Sequence, residues 1–267
     1  MTQALRRYAP IALAGVHAAL QYRATIVLSA VTAATGTALQ VFLWRAVYAH
    51  TSTPPGLALT SLTTYVVLAQ VLALLHANKV DDVVAGEVYR GDIAVSLLRP
   101  ANYVLTCLVT NLPAAVVTAA LAGGPVLLAF ALLTPLRTPT LANVLLFSVA
   151  AALSVLLAFE VNLLVGLAAF VSTNTWGIRM IKNAGVAFLA GQIVPLSLLP
   201  QDVARVIRLL PFQGLIDGPL RLLLGTYRSA AEAGGILAVQ AVWVLVLLGV
   251  TALAWRGALR RIEVVGG

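Results

Sequence analysis

The sequence predicts an all-α integral membrane protein with six transmembrane helices. Three observations carry that expectation. Hydrophobic residues make up 61% of the chain and charged residues only 10%, with a mean hydropathy of +0.98, far from the averages of soluble domains. The long apolar runs carry almost no charge. The clearest, residues 24–44, has no ionisable side chain between Arg23 and Arg45, and roughly 20 helical residues match a hydrocarbon core about 30 Å thick. The runs are also uninterrupted. A transmembrane barrel strand alternates apolar and polar residues, and backbone groups in lipid must be satisfied within the protein, so only helices remain.

The elements follow in order. Arg6 and Arg7 precede a segment in which Leu5, Tyr8, Ala12, Val16 and Leu20 fall on one helical face, so residues 1–23 read as an amphipathic helix in the membrane interface. Pro10, His17 and the polar ending Gln21-Tyr22-Arg23 argue against a cleaved signal peptide. Span one is 24–44. The turn chemistry of Pro54-Pro55-Gly56 leads into span two, 59–77. The polar stretch 78–102 separates it from span three, 103–133, which Pro113 and Gly123-Gly124-Pro125 are expected to interrupt. Span four is 141–170. A polar loop, 172–183, holds Arg179 and Lys182. Span five, 184–199, is short and broken by Pro195 and Pro200. Residues 201–225 read as two short helices, and span six is 235–255. The chain 1–267 is expected to form one membrane domain.

Loop charge sets the orientation. With the N-terminus in the cytoplasm, eleven arginines and lysines fall inside and six outside; the outer six are Arg45, Arg137, Arg205, Arg208, Arg221 and Arg228. Both termini are then cytoplasmic, which requires an even number of crossings. The formal net charge of +8 thus reads as a topology signal, not as a nucleic-acid surface. The single cysteine, Cys107, lies in an apolar segment and serves packing.

Catalytic signatures are absent. Neither lysine, Lys79 or Lys182, follows a glycine, so there is no phosphate-binding loop of the Walker type, and there is no G-x-S-x-G or H-E-x-x-H. His17, His50 and His76 lie in separate segments and predict no metal site. The chain is therefore not expected to be an enzyme. Within span four, Glu160 and Asn162 stand out, because a charge within lipid faces a cavity or a partner. They are candidates for the substrate path or for a polar lock between helices.

Four stretches, taken in order, resemble a known family: VFLWRA at 41–46, GDIAVSLLRP at 91–100, TWGIR at 175–179, and IVPLSLLP at 193–200 followed by LPFQ at 210–213. The chain is similar to the permease subunits of type-2 export-class ATP-binding-cassette (ABC) transporters, and within them to a compact six-helix bacterial subfamily. The similarity runs from the N-terminal helix to Arg261. It implies a coupling helix over 81–98 that seats in a separate ATPase, with Asp81, Asp82, Glu87, Arg90, Gly91, Asp92 and Arg99 as coupling residues and Pro100 ending the helix. It also implies a re-entrant outer hairpin over 196–225, framed by Pro195 and Pro200, with Pro211, Phe212 and Gln213 at its tip or hinge. The i, i+4 spacing of Asp217 and Arg221 predicts a pair between them. ATP and magnesium would sit on the partner ATPase. A second permease, identical or related, would complete the path across the bacterial cytoplasmic membrane, and direction is outward by resemblance. The alternative is an ion-coupled secondary transporter or channel, which needs ionisable residues within the membrane; Glu160 is the candidate.

Overall fold

The computed structural model describes residues 2–50, 57–99 and 101–261, with side chains from Tyr8 onward. The expectations for Leu5, Arg6, Arg7, Pro54-Pro55-Gly56 and Pro100 lie outside that description. Every regular element among the described residues is helical.

Helix α1 (Thr2–Gln21) meets α2 (Arg23–His50) at Tyr22. Helix α3 (Leu59–His76) is continued, after a break at Ala77–Lys79, by α4 (Val80–Arg90). Gly91 ends α4 in the left-handed region, at φ 76°, and α5 (Asp92–Leu97) turns away from it. A left-handed residue costs an L side chain about 1–2 kcal/mol, so glycine suits this corner.

Helix α6 (Tyr103–Thr118) opens on Asn102, whose side chain accepts from Leu105 N, an N-cap. The expected interruption of this span does not occur. The helix passes through Pro113 and a π turn (Ala119–Gly123) into α7 (Gly124–Leu133) without leaving helical geometry. The π turn lies directly before Pro125, which lacks a backbone donor, and so absorbs the mismatch locally.

Helix α8 (Leu141–Leu167) is capped by Thr140 and ends in a 3-10 turn, Ala168–Phe170. Helix α9 (Trp176–Leu189) starts eight residues earlier than span five was expected to. Arg179 and Lys182 therefore sit on its first turns, not in a loop. It also stops early, because Gly191 is left-handed at φ 83° and Pro195 follows. Its 14 residues reach only about 21 Å. Two short helices come next, α10 (Gln201–Ile207) and α11 (Asp217–Leu224), separated by a 3-10 turn at Pro211–Gly214. The last element is α12 (Ala230–Leu259), capped by Ser229. Among the described residues five helical segments are long and apolar enough to cross a bilayer, one fewer than expected, because α9 is too short to join them.

The end of the bundle that carries Gly91 and Asn102 is called basal here, and the end that carries Arg137 and Tyr227 apical. The central core joins Tyr65 and Ala69 of α3, Leu157 and Ala158 of α8, Leu220 of α11 and Val244 of α12. A separate basal core joins Val80 and Val84 of α4, Tyr103 of α6, and Leu163 and Leu167 of α8. There the Tyr103 ring stacks on Trp255 with centroids 5.0 Å apart. Helix α1 lies along α6: the Tyr8 hydroxyl accepts from Asn102 N at 3.3 Å. A Cβ at Gly15 would stand 2.2 Å from Thr110 O, so only glycine permits this approach. Large apolar side chains such as Leu28, Phe42, Leu132, Leu145 and Leu253 are exposed, as befits surfaces solvated by lipid.

Candidate functional site

The sequence places a run of charges over 78–102, and the fold divides it in two. Nearest the bundle, Asp81 faces inward and Asp82, though exposed, is paired with α9. Asp81 is buried, and its Oδ2 accepts from Lys182 Nζ at 3.0 Å. The same ammonium donates to Asn162 Oδ1 at 2.6 Å, and Asn162 in turn donates to Asn78 Oδ1 at 3.0 Å. Arg179, one turn before Lys182, pairs with Asp82. Helices α4, α8 and α9 are thus joined by a single polar chain. A buried pair of this kind adds modest net stability but is costly to break.

Further from the bundle, the charges face out. Arg90 and Asp92 pair across Gly91 at 2.7 Å with both side chains more than half exposed, worth at most about 1 kcal/mol. Arg99 is exposed, as are Val95 and Leu98. Glu87 lies between the two groups and accepts from the Tyr103 hydroxyl at 2.8 Å. Of the residues the sequence marks for coupling, Asp81, Asp82 and Glu87 are therefore engaged within the chain. The surface free to meet a partner is Arg90, Gly91, Asp92 and Arg99, joined by Val95 and Leu98, which the sequence did not single out. The reason is helical register: α4 turns Asp81 toward α9 and the basal core.

A cavity of 590 Å³ opens beside the polar chain, lined by Asn78, Lys79, Asp81, Asn162, Arg179 and Lys182 and roofed by Val186, Leu215 and Ile216. Asn162 lines it. Glu160 does not. It is buried, and its carboxylate accepts from the Thr251 hydroxyl. Glu160 joins α8 to α12 and does not line this cavity, because two residues along a helix point to different sides.

A second cavity, of 820 Å³, opens at the apical end. Its floor is formed by Tyr65, Leu196 and Asp217. The Tyr65 hydroxyl donates to Gly191 O at 2.9 Å and lies 3.4 Å from Asp217 Oδ1, while Asp217 N donates to Ala190 O at 3.0 Å. This small latch and the adjoining residues Leu215 and Ile216 are what separate the two cavities. Asp217 does not pair with Arg221 as expected. Arg221 pairs with Glu232 of α12 instead.

Residues 195–225 form a run of short helices and turns. Pro195 and Pro200 stand immediately before a 3-10 turn (Leu196–Leu198) and α10, respectively. Pro211 opens the Pro211–Gly214 turn, Phe212 packs on the central core, and Gln213 is buried. This turn reaches the middle of the bundle: Gln240 Nε2 donates to Gly214 O at 2.7 Å and to Ala150 O at 3.1 Å. A Cβ on Gly214 would meet Leu157 at 2.9 Å and Gln240 at 3.0 Å. Tyr65, Gly191 and Gln240 were missed by sequence reasoning. Gln240, a lone amide in an apolar span, was the available signal. Among the described residues no group of three or more histidines, cysteines or carboxylates is placed to hold a metal ion.

The family model described as ABC-2 family transporter protein matches residues 34–266. The chain belongs to the ABC-2 transporter family. No curated protein and no solved structure matches it. As an ABC-2 permease it is a multi-pass membrane protein and a component of a transport system, and the two cavities lie in a chain whose family moves solutes across a membrane.

Proposed function

We propose that this ABC-2 permease is the membrane subunit of an ATP-driven exporter, assembled with a second permease and with separate ATPase subunits that carry the ATP and magnesium. The observation that carries this reading is the Gly91 corner. It presents Arg90, Asp92, Val95, Leu98 and Arg99 as an exposed surface of mixed polarity at the basal end, suited to seat in a groove of a soluble partner. The basal end is cytoplasmic in this reading, in accord with loop charge, and the membrane is the bacterial cytoplasmic membrane. Helix α9 and the segment 190–200 together make the sixth crossing, and 196–225 forms the re-entrant outer hairpin.

The polar chain then has a mechanical role. A push on α5 passes through α4 to Asp81 and Asp82, and from there to Lys182 and Arg179 on α9. Helix α9 ends at Gly191, beneath the latch. Movement of α9 would draw Gly191 from the Tyr65 hydroxyl and loosen the floor between the cavities. The ion-coupled alternative depends on Glu160. That carboxylate accepts from Thr251 and does not line the cavity beside Asn162, which supports the exporter reading over the ion-coupled one.

The test is affinity purification of the tagged chain in mild detergent, with mass spectrometry of what accompanies it and an ATPase assay on the complex. A Walker-type ATPase that co-purifies and hydrolyses ATP is the expected result. A chain recovered without any ATPase overturns the proposal.

A further inference from the structure

The apical cavity holds more positive charge than its carboxylates balance. Five arginines line it, Arg137, Arg205, Arg208, Arg221 and Arg228, against Asp217 and Glu232. Glu232 is engaged twice, by the Arg221 guanidinium and by Arg228 N at 2.7 Å. Arg205 has Asp202 at 3.3 Å. Among the described residues no carboxylate lies within 4.0 Å of a guanidinium nitrogen of Arg137, Arg208 or Arg228. Arg208 Nε is buried with no hydrogen-bond partner. Arg137 donates from Nη1 to Ser61 Oγ at 3.3 Å, which leaves its charge unmatched. Residues 51–56, which precede Leu57 of the cavity wall, contain no ionisable side chain.

Such a surplus is unfavourable on two counts. Like charges gathered around one low-dielectric space repel. Arginines on the outer side of short loops also weaken the bias that orients the chain. A bound anion relieves the first cost directly. Guanidinium groups present planar forks that match phosphate oxygens, and they lose less hydration than an ammonium does. The volume, 820 Å³, lies in the range of small-molecule sites.

We propose that the apical cavity is a binding site for a phosphate-type anionic group, held chiefly by Arg208 with Arg137 and Arg228 around it. Asp217 at the floor, with one carboxylate oxygen free of hydrogen bonds, repels the anion from the latch and keeps it at the arginine rim. The group is either a free phosphate compound or the headgroup of an anionic lipid. Its binding rests on the cavity alone; its place as an exit station rests on the export reading, so the test measures binding without transport.

The full chain is placed in nanodiscs of phosphatidylcholine, and thermal unfolding is followed as inorganic phosphate is added, with chloride at equal ionic strength as the reference. A parallel sample contains phosphatidylglycerol. A rise in melting temperature with phosphate identifies a soluble anion as sufficient. A rise with phosphatidylglycerol alone identifies the lipid headgroup. In either case Arg208→Gln and, on a different segment, Arg137→Gln should each weaken the apparent affinity about tenfold. No rise with either probe, or a rise that both variants leave unchanged, overturns the proposal. Because Arg137 is exposed and lies outside the helices, its variant keeps the test decisive if Arg208→Gln fails to fold.

Discussion

The two ends of the bundle use basic side chains in opposite ways. At the basal end the cations of α9 are each matched by a carboxylate of α4: Lys182 by Asp81 and Arg179 by Asp82. At the apical end Arg137, Arg208 and Arg228 share a cavity in which, among the described residues, no carboxylate comes within 4.0 Å of their guanidinium groups. The first arrangement holds two helices in register. The second makes no ion pair among the described residues, and so leaves charge available for something outside the chain. A matched buried pair is a structural tie, whereas an unmatched cluster reads as a binding surface.

The comparison is broken most readily at the basal end. Lys182→Met should strand the Asp81 carboxylate, whose side chain is only 9% exposed, and cost about 3–5 kcal/mol. Thermal unfolding in detergent measures this, and the double variant Asp81→Asn with Lys182→Met should recover much of the loss. A single variant that melts like the parent would show that the pair is not a tie. Next in size is Gly191→Ala. The new Cβ would stand 2.7 Å from the Tyr65 hydroxyl at a left-handed φ of 83°, so a loss of about 1–3 kcal/mol is expected. Tyr65→Phe removes the latch hydroxyl at a cost of about 1 kcal/mol. Combined with Gly191→Ala it should cost less than the sum, since both act on one contact.

The smallest stability effects sharpen the contrast. Arg228→Gln at the apical rim should change stability by no more than about 0.5 kcal/mol, in contrast to the basal lysine. Leu98→Asp with Arg99→Glu should likewise leave the melting temperature unchanged, yet abolish the stimulation of ATP hydrolysis in the purified complex. If hydrolysis stays coupled, the Gly91 corner is not the contact with the ATPase.

What the sequence made legible was whatever depends on local chemistry or on the run of apolar residues. Spans 59–77 and 141–170 coincide closely with α3 and with α8 plus its final turn. The expected coupling helix over 81–98 is divided at Gly91, where the backbone is left-handed. Span three misled, because Pro113 and Pro125 signal a rupture, while a single π turn restores the helix. Span five misled for a related reason: apolar composition carried it to residue 199, but Gly191 turns the backbone before that.

The side-chain partners were beyond the sequence. Asp81 reads as a loop charge until the register of α4 turns it onto Lys182, a hundred and one residues away. Glu160 reads as a path residue or as a lock between helices until α12 brings Thr251 against it, and Asp217 reads as the partner of Arg221 until Glu232 takes that place. By itself the sequence determined that the chain lives in lipid, as helices, and where most of them begin and end, because hydropathy and backbone hydrogen bonding act along the chain. Only the tertiary structure decided which charges are matched, which cavity stays positive and what separates the two cavities. Those depend on contacts between residues far apart in sequence, which no local pattern encodes.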